Sequence, residues 1–307
     1  MKKYILLWLM ILLTFSGCAA DKGNAPEQQK TDASSGNTTQ VSGAGVEISC
    51  MTFNILSYNT GGTTYPEPEE RYKGIIPHIL EQNCDIVGIQ EADEEKEFDW
   101  PTKIAEDTKG VYTARRIDEE FEHGGKMNIG AGLMILYRTD RFELLKSGAT
   151  YYWEDFRRWY QWVLLKDKKA NREIYVTNTH WSINPLASDK VTPDVQEGNF
   201  LRCSEAEELV TFWEETVGDT ALFATGDYNC LIDSEPHTEY LRRGIYSDTC
   251  SNAIDSDLES SVDFIYYNPN TMDIDRYDLL PPDYTFEDGS KVTMSDHCSA
   301  ITYATYK

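Results

Sequence analysis

One feature repeats along this chain and limits what it can fold into: apolar runs of strand length that end on a carboxylate, an amide or an imidazole. The stretch from Ala221 to Cys230, Ala-Leu-Phe-Ala-Thr-Gly-Asp-Tyr-Asn-Cys, shows it best. It is largely apolar up to Thr225, breaks at Gly226 and then offers polar side chains, which is how a buried strand delivers groups to the rim of a sheet. If the backbone stays extended past Gly226, Asp227 and Asn229 point to one side, a pairing that suits a metal ion or a phosphate. Gly, Asp and Asn also favour turns, so this segment alone leaves both readings open.

The pattern recurs. Val46 to Asn54 reads as a buried strand ending in an amide, and Asp85 to Gln90 as another ending in Gln90-Glu91. Glu173 to Asn178 runs into Thr179-His180-Trp181, Ser261 to Tyr267 carries Asp263, and Ser295-Asp296-His297 introduces a last strand to Tyr303. Between them, Arg71, Tyr72, Ile75, Ile76, Ile79 and Leu80 recur at helical spacing, although Pro77 threatens to kink or shorten that helix. Further helices are expected at Trp100 to Thr108, Phe200 to Trp213 and, short, Glu235 to Arg242. Ala131 to Tyr137 and Phe142 to Gly148 read as neighbouring strands joined through Arg138 to Arg141, and Trp159 to Leu165 pairs with Glu173 to Asn178 across a turn. Residues 92–128 read as acidic and mixed, with a loop near Glu119 to Lys126. Strands outnumber helices and hairpins mix with βα units, so the expected architecture is α+β, two packed sheets flanked by helices.

The start of the chain follows other rules. Lys2 and Lys3 precede an apolar run, Tyr4 to Phe15, with the charge and length of a secretory signal. Phe15-Ser16-Gly17-Cys18 resembles a bacterial lipobox, in which Cys18 would be lipidated and become the new N-terminus; the alternative is an ordinary cleaved signal that releases the protein. Ala19 to Gly45 has almost no large apolar residue and reads as a flexible tether. A single domain from residue 46 to 307 follows. The expectation is an exported, membrane-anchored lipoprotein with no protein partner implied. Removing Lys2 and Lys3 takes the net charge from -24 to -26. That balance argues against tight nonspecific nucleic-acid binding, which depends on Lys and Arg, without excluding a nuclease that holds phosphate through a cation. The six cysteines after Cys18 form no Cys-x-x-Cys pair, which argues against structural zinc.

Taken together, the strand-end residues are Asn54, Glu91, His180, Asp227, Asn229, Asp263, Asp296 and His297, supplied by several different strands. The pieces that contain them, Thr52-Phe53-Asn54, Ile86 to Glu91, Asn178-Thr179-His180, Gly226 to Asn229, Val262 to Ile265 and Ser295-Asp296-His297, resemble the endonuclease/exonuclease/phosphatase superfamily in kind and in order. The resemblance covers residues 46 to 304. It implies a four-layer α/β/β/α sandwich with the site at one end of the sheets. It also implies Mg²⁺ or Mn²⁺ held by Glu91 with Asn54 and Asp296, and a His297–Asp263 pair that activates water or contacts phosphate. Asp227 would orient the attacking water, Asn229 and His180 would hold phosphate oxygens, and Arg138, in Leu136-Tyr137-Arg138, resembles an arginine that approaches phosphate in the deoxyribonuclease branch. The residue before Asp263 is Val262, where many nucleases of the family have Arg.

The resulting expectation is a metal-dependent hydrolase of phosphodiester or phosphomonoester bonds. An extracellular nuclease, a sphingomyelinase-like phospholipase and a non-catalytic surface binding lipoprotein are the alternatives. The aromatic run from Tyr151 to Trp162 fits either a substrate groove or core packing.

Overall fold

The period of two along a strand sets the layers. In β1 (Glu47–Asn54), Ile48 and Cys50 pack in one apolar cluster while Met51 and Phe53 pack in another, on the opposite face. The same division runs through β2 (Ile86–Gln90), where Ile86 faces one way and Val87 and Ile89 the other, and through β8 (Ala221–Asp227), where Ala221 and Phe223 oppose Leu222 and Ala224. The structure, a computed structural model, describes residues 43–56, 65–93, 98–116, 132–155, 158–242, 246–250 and 261–307. The signal-like segment, Cys18, the tether and the loop at Glu119 to Lys126 lie outside the described residues.

Six strands form each of two sheets. The first comprises β1, β2, β3 (Tyr112–Arg116), β4 (Met134–Arg138), β11 (Met272–Leu280) and β14 (Ser299–Tyr306), in the order β11-β14-β1-β2-β4-β3. The second comprises β5 (Phe142–Tyr151), β6 (Trp159–Asp167), β7 (Arg172–His180), β8, β9 (Ser247–Asp248) and β10 (Asp263–Tyr267), in the order β5-β6-β7-β8-β10-β9. Each sheet has a parallel pair at its centre, β1 with β2 and β7 with β8, flanked by antiparallel neighbours. A helix links the members of each pair: α1 (Pro68–Gln82) and α3 (Val195–Phe212). A small hairpin of β12 (Asp283–Thr285) and β13 (Lys291–Thr293) packs on α1.

Three cores separate four layers. Ile75, Ile79 and Met51 lie between the helices and the first sheet, with Trp100 and Ile104 of α2 (Trp100–Asp107). Leu209, Val210 and Trp213 of α3 and the turn that continues it pack on Leu222 and Tyr266 of the second sheet. Between the sheets, the layer is apolar at one end, with Ile48, Ile86, Ile174, Val176 and Phe223. Burying each such side chain stabilises the fold by roughly 1.5–3 kcal/mol. Towards the other end this layer turns polar yet remains bonded. Gln90 donates to Asn178 Oδ1 at 2.6 Å, and Asn178 in turn donates across the sheets to the Ile89 and Met134 carbonyls at 2.7 and 3.0 Å. Gly88 permits this approach, because a Cβ there would lie 1.9 Å from Thr225 Oγ1.

The helices are specified locally. Pro68 opens α1, Glu69 and Glu70 sit in its positive first turn, and left-handed Asn83 (φ 50°) closes it. Pro77 lies inside α1 without ending it. Asp194 caps α3 by accepting from Glu197 N at 3.0 Å, so that helix begins before Phe200. One expected pairing is overturned: β4 and β5 are not neighbours but lie in different sheets. The chain crosses between sheets at Arg141, whose buried guanidinium meets Asp85 beside the first sheet at 2.8 Å and Asp167 of the second at 2.7 Å. That bifurcated pairing favours a crossing over a hairpin. Among the described residues, no helix is long and apolar enough to cross a membrane.

Candidate active site

The inward-facing row of each central strand continues from apolar residues to polar ones at the C-terminal end. In β1, Ile48, Cys50, Thr52 and Asn54 follow at intervals of two; in β7, Ile174, Val176, Asn178 and His180; in β8, Ala221, Phe223, Thr225 and Asp227. The register then aligns them, with His180 beside Asp227 in the parallel pair and Asp263 opposite Asp227 in the antiparallel one. Asn54, His180, Asp227 and Asp263 are all buried.

Asp227 Oδ2 is the meeting point. Asn54 Nδ2 donates to it at 2.9 Å, His180 Nε2 lies 3.4 Å away and His297 Nε2 3.8 Å. The same Asn54 nitrogen donates to Glu91 Oε1 at 3.0 Å, and that oxygen is 4.0 Å from His180 Nε2. Asn54 Oδ1 accepts from Leu56 N at 3.0 Å, so this amide is committed on both sides and braces the two carboxylates. His297 Nδ1 bonds Asp263 Oδ2 at 2.7 Å, and Asp296 Oδ1 stands 3.8 Å from its Nε2.

Burial and neighbouring charge separate the two imidazoles. Burial alone would lower the pKa of His297, but Asp263 at hydrogen-bonding distance, with Asp227 and Asp296, outweighs it and lifts the group to about 10. His180 moves the opposite way: burial, then the positive charges of Arg158 and His297, hold it well below its ordinary value, so it is neutral. Burial and the facing Asp263 push Asp227 up to about 6, while His297, Asn229 and Asn54 oppose that rise. Burial also raises Asp263, with the imidazole 2.7 Å away pulling it back. The surroundings of this last pair are negative, so its proton belongs on the imidazole.

Glu91, Asp227 and Asp263 offer carboxylate oxygens, beside the imidazoles of His180 and His297 and with no thiolate among them, a donor set that fits a hard divalent cation. Glu91 Oε1, His180 Nε2 and Asp227 Oδ2 form one cluster able to hold an ion, and Asp227, Asp263 and His297 form another; Asp296 lies outside both clusters. Asp263 Oδ1 and His180 Nδ1 are buried without a hydrogen-bond partner, as are several atoms away from the site.

The family model described as "Endonuclease/Exonuclease/phosphatase family" matches residues 51–297. The chain belongs to this family. Its fold is that of several solved structures. An endonuclease/exonuclease/phosphatase family protein from Bacteroides thetaiotaomicron is 18% identical, with a TM-score of 0.67 over 86% of this chain and 99% of that one. A mannosyl-6-phosphatase from Bacteroides thetaiotaomicron is 18% identical, with a TM-score of 0.63 over 84% and 99%. The human Nocturnin catalytic domain with bound sulfate is 19% identical, with a TM-score of 0.61 over 85% and 95%. No curated protein matches in sequence. The four-layer sandwich expected from the sequence is the fold of this family, whose members are metal-dependent phosphoester hydrolases.

Against the expectations for an endonuclease/exonuclease/phosphatase protein, two placements differ. Arg138 does not reach the site: it ends β4 beside Asp85, at the opposite end of the sandwich, where it holds Asp140 at 3.0 Å and bonds Asn83. β4 runs antiparallel to β2, so its C-terminus lies at the end of β2 remote from Glu91. Asn229 is in the region but not on an extended strand. Its φ of 50° turns the backbone, its N–H bonds Asp227 Oδ1 at 2.9 Å, and its amide donates to the Trp181 carbonyl at 2.9 Å. The turn propensity of Gly-Asp-Tyr-Asn thus prevails one residue after Asp227.

Three supporting residues had little sequence signal. Glu91 has a left-handed backbone (φ 60°), held where Ala92 N meets the Gly132 carbonyl at 2.7 Å, and a Cβ on Gly132 would fall 2.5 Å from Ala92 N. Ser295 Oγ donates to the Asn54 carbonyl at 2.7 Å and accepts from His297 N at 3.1 Å, joining the ends of β1 and the His297 loop. Arg71, fully buried on α1, donates to the Ile55 carbonyl at 2.7 Å and the Met294 carbonyl at 3.3 Å. Helical spacing located Arg71; only the tertiary structure shows what it ties together.

Proposed function

We propose that this protein is an exported, lipid-anchored, Mg²⁺-dependent phosphoesterase that acts on a small or lipid-linked phosphoester. The observation that supports the chemistry is the single carboxylate oxygen, Asp227 Oδ2, surrounded by an amide and two imidazoles of opposite charge preference. Glu91 is the principal metal ligand, with Asn54 and Asp296 supporting it. When bound, the ion offsets the negative charge of the phosphate. Asp227 orients water and takes its proton as the oxygen attacks phosphorus. Asp263 orients the protonated His297 ring through Nδ1, leaving Nε2–H to stabilise charge on the phosphate oxygens. Asn229 and neutral His180 complete the cradle, with His180 towards the leaving group, which departs as the bond to phosphorus breaks.

Several observations favour a small or lipid-linked substrate over a nucleic-acid strand. The chain is strongly acidic, Val262 stands where an arginine is common, and Arg138 is remote from the site. Exposed Ile183, Leu186, Val191, Val195 and Phe200 follow His180 along the chain, which suits a substrate with an apolar part. The test is hydrolysis of plasmid DNA, RNA, sphingomyelin, inositol phosphates, sugar phosphates and an aryl phosphodiester, with Mg²⁺ or with chelator. Chelator-sensitive turnover of one class supports the reading. Binding of these phosphoesters in Mg²⁺ without turnover would favour a binding lipoprotein instead. Export and anchoring rest on Lys2, Lys3 and Cys18; Cys18→Ala should move the protein out of the membrane fraction.

A further inference from the structure

Each buried site residue of the second sheet is followed immediately by an aromatic residue: His180 by Trp181, Asp227 by Tyr228, Asp263 by Phe264. Alternation sends the site residue inward and the aromatic one to the opposite face, where all three rings gather around one further side chain, His237. Ring centroids lie 6.0 Å from it for Trp181, 5.3 Å for Tyr228 and 5.1 Å for Phe264. Tyr266 completes the enclosure, stacked at 5.8 Å with its hydroxyl 2.6 Å from His237 Nδ1. His237 is fully buried on the short turn Pro236–Leu241, and its ring contacts are with Trp181, Tyr228, Phe264 and Tyr266. The same strand ends are joined on the backbone side as well, Trp181 N to the Asp227 carbonyl and Tyr228 N to the Val262 carbonyl, both at 2.9 Å.

We infer that His237 is a positioning residue for the reaction, fixing His180, Asp227 and Asp263 relative to one another through the three aromatic side chains that follow them. An imidazole suits this place because it is aromatic on its faces and polar at its edge: it fills the box and also takes the Tyr266 hydroxyl. A purely apolar ring would leave that hydroxyl unbonded, and a smaller side chain would leave the three aromatic side chains to repack and tilt the strand ends that the backbone bonds alone hold. Shifts of about 1 Å at a reacting group can cost on the order of a hundredfold in rate.

The inference rests on the phosphoesterase reading, so its test includes a readout that needs no turnover. Full-length His237→Ala is assayed well below its own melting temperature on the best substrate of the panel. The expected result is a fall in kcat of about 30-fold or more with KM within about threefold, and partial recovery when free imidazole refills the cavity. In parallel, the low-field proton resonance of the His297–Asp263 hydrogen bond should shift or broaden in His237→Ala and sharpen again with imidazole. Should His237→Ala fail to fold, Tyr266→Phe removes only the hydroxyl partner and should lower kcat by a smaller factor while moving the same resonance. A folded variant with unchanged kcat and an unchanged resonance would reduce His237 to core packing and overturn the proposal. If the wild type turns over nothing, the functional reading fails, and the resonance alone still decides whether His237 positions the pair.

Discussion

The two sheets are built on one plan and deliver different chemistry. In each, a parallel pair joined by a helix points its C-terminal ends at the site: β1 and β2 through α1, β7 and β8 through α3. The first sheet supplies Asn54 and, one residue past β2, Glu91, whose side chain is 24% exposed on a left-handed backbone. The second supplies His180, Asp227 and Asp263, all nearly inaccessible. A cation must exchange with solvent and keep waters, and under the proposed function a main ligand at the open edge suits that need. Groups that move or hold protons need shifted pKa values, and burial is what shifts them. The difference between the sheets is therefore one of exposure.

The largest expected effect comes from cutting each half separately, the buried half through His297, which precedes β14 of the first sheet but pairs with Asp263 of the second. His297→Ala and Glu91→Ala should each lower kcat/KM by about 10³-fold, within the range of acid–base and metal contributions. Their signatures should diverge. Glu91→Ala should raise the Mg²⁺ concentration for half-maximal activity by tenfold or more, as even indirect support of a metal ligand is worth about that much. His297→Ala should leave it within about twofold. Equal shifts in both variants would mean that the two halves do not divide the work in this way.

Asn54 is where the halves meet, since its one nitrogen serves Glu91 and Asp227 together. Asn54→Ala should cost about 10–100-fold in activity, the value of a hydrogen bond to a charged group. It should raise the Mg²⁺ requirement as well, which a residue belonging only to the buried half would not do. An Asn54→Ala enzyme with an unchanged Mg²⁺ titration would assign the amide to Asp227 alone.

A smaller effect isolates the backbone of the open half. Gly132 has φ 42° and lies against Glu91 and Ala92, so Gly132→Ala should cost about 1–3 kcal/mol of stability and displace Glu91. A denaturant midpoint paired with a Mg²⁺ titration measures both. A normal midpoint and titration would show that the Glu91 backbone tolerates movement.

How much of this was legible in the sequence differs between the halves too. The buried half was readable because inward alternation fixes it: Val176, Asn178, His180 and Phe223, Thr225, Asp227 follow the period of two with no exception. Asn229 lies where the sequence leaves extension and turn both open, and the structure takes the turn. The open half was readable at Asn54 and Glu91, but not at Gly132 or Ser295, whose roles depend on segments distant in the chain. Arg138 resembled a functional arginine by its neighbours alone, while the antiparallel course of β4 carries it to the other end. The edge strands β3 and β11 carry too few buried residues for periodicity to reveal them, and nothing local to Arg138 to Arg141 marks the crossing that separates β4 from β5.

The smallest effect compares what lies behind each sheet, where each half keeps one buried neutral imidazole. His78 of α1 packs on Phe53 and bonds Ser299 Oγ at 2.8 Å; burial holds its pKa down to about 4. Burial holds His237 down to about 3. Each folded value lies below the unfolded value of about 6.5, so the unfolded state binds the proton more readily. The stability each contributes is complete above about pH 6.5 and is lost as pH falls, at up to about 1.4 kcal/mol per pH unit per residue. Loss from His78 should end near pH 4, whereas loss from His237 continues towards pH 3. Glu205, raised to about 7 mainly by burial, works in the opposite sense, but it is common to all variants and cancels on subtraction. Denaturant unfolding of His78→Gln and His237→Gln at pH 6.5 and 4.5 should therefore show each losing about 2 kcal/mol less than the wild type across that interval. An unchanged loss in His237→Gln would mean that this imidazole takes up its proton while folded, and that the box behind the buried half admits water.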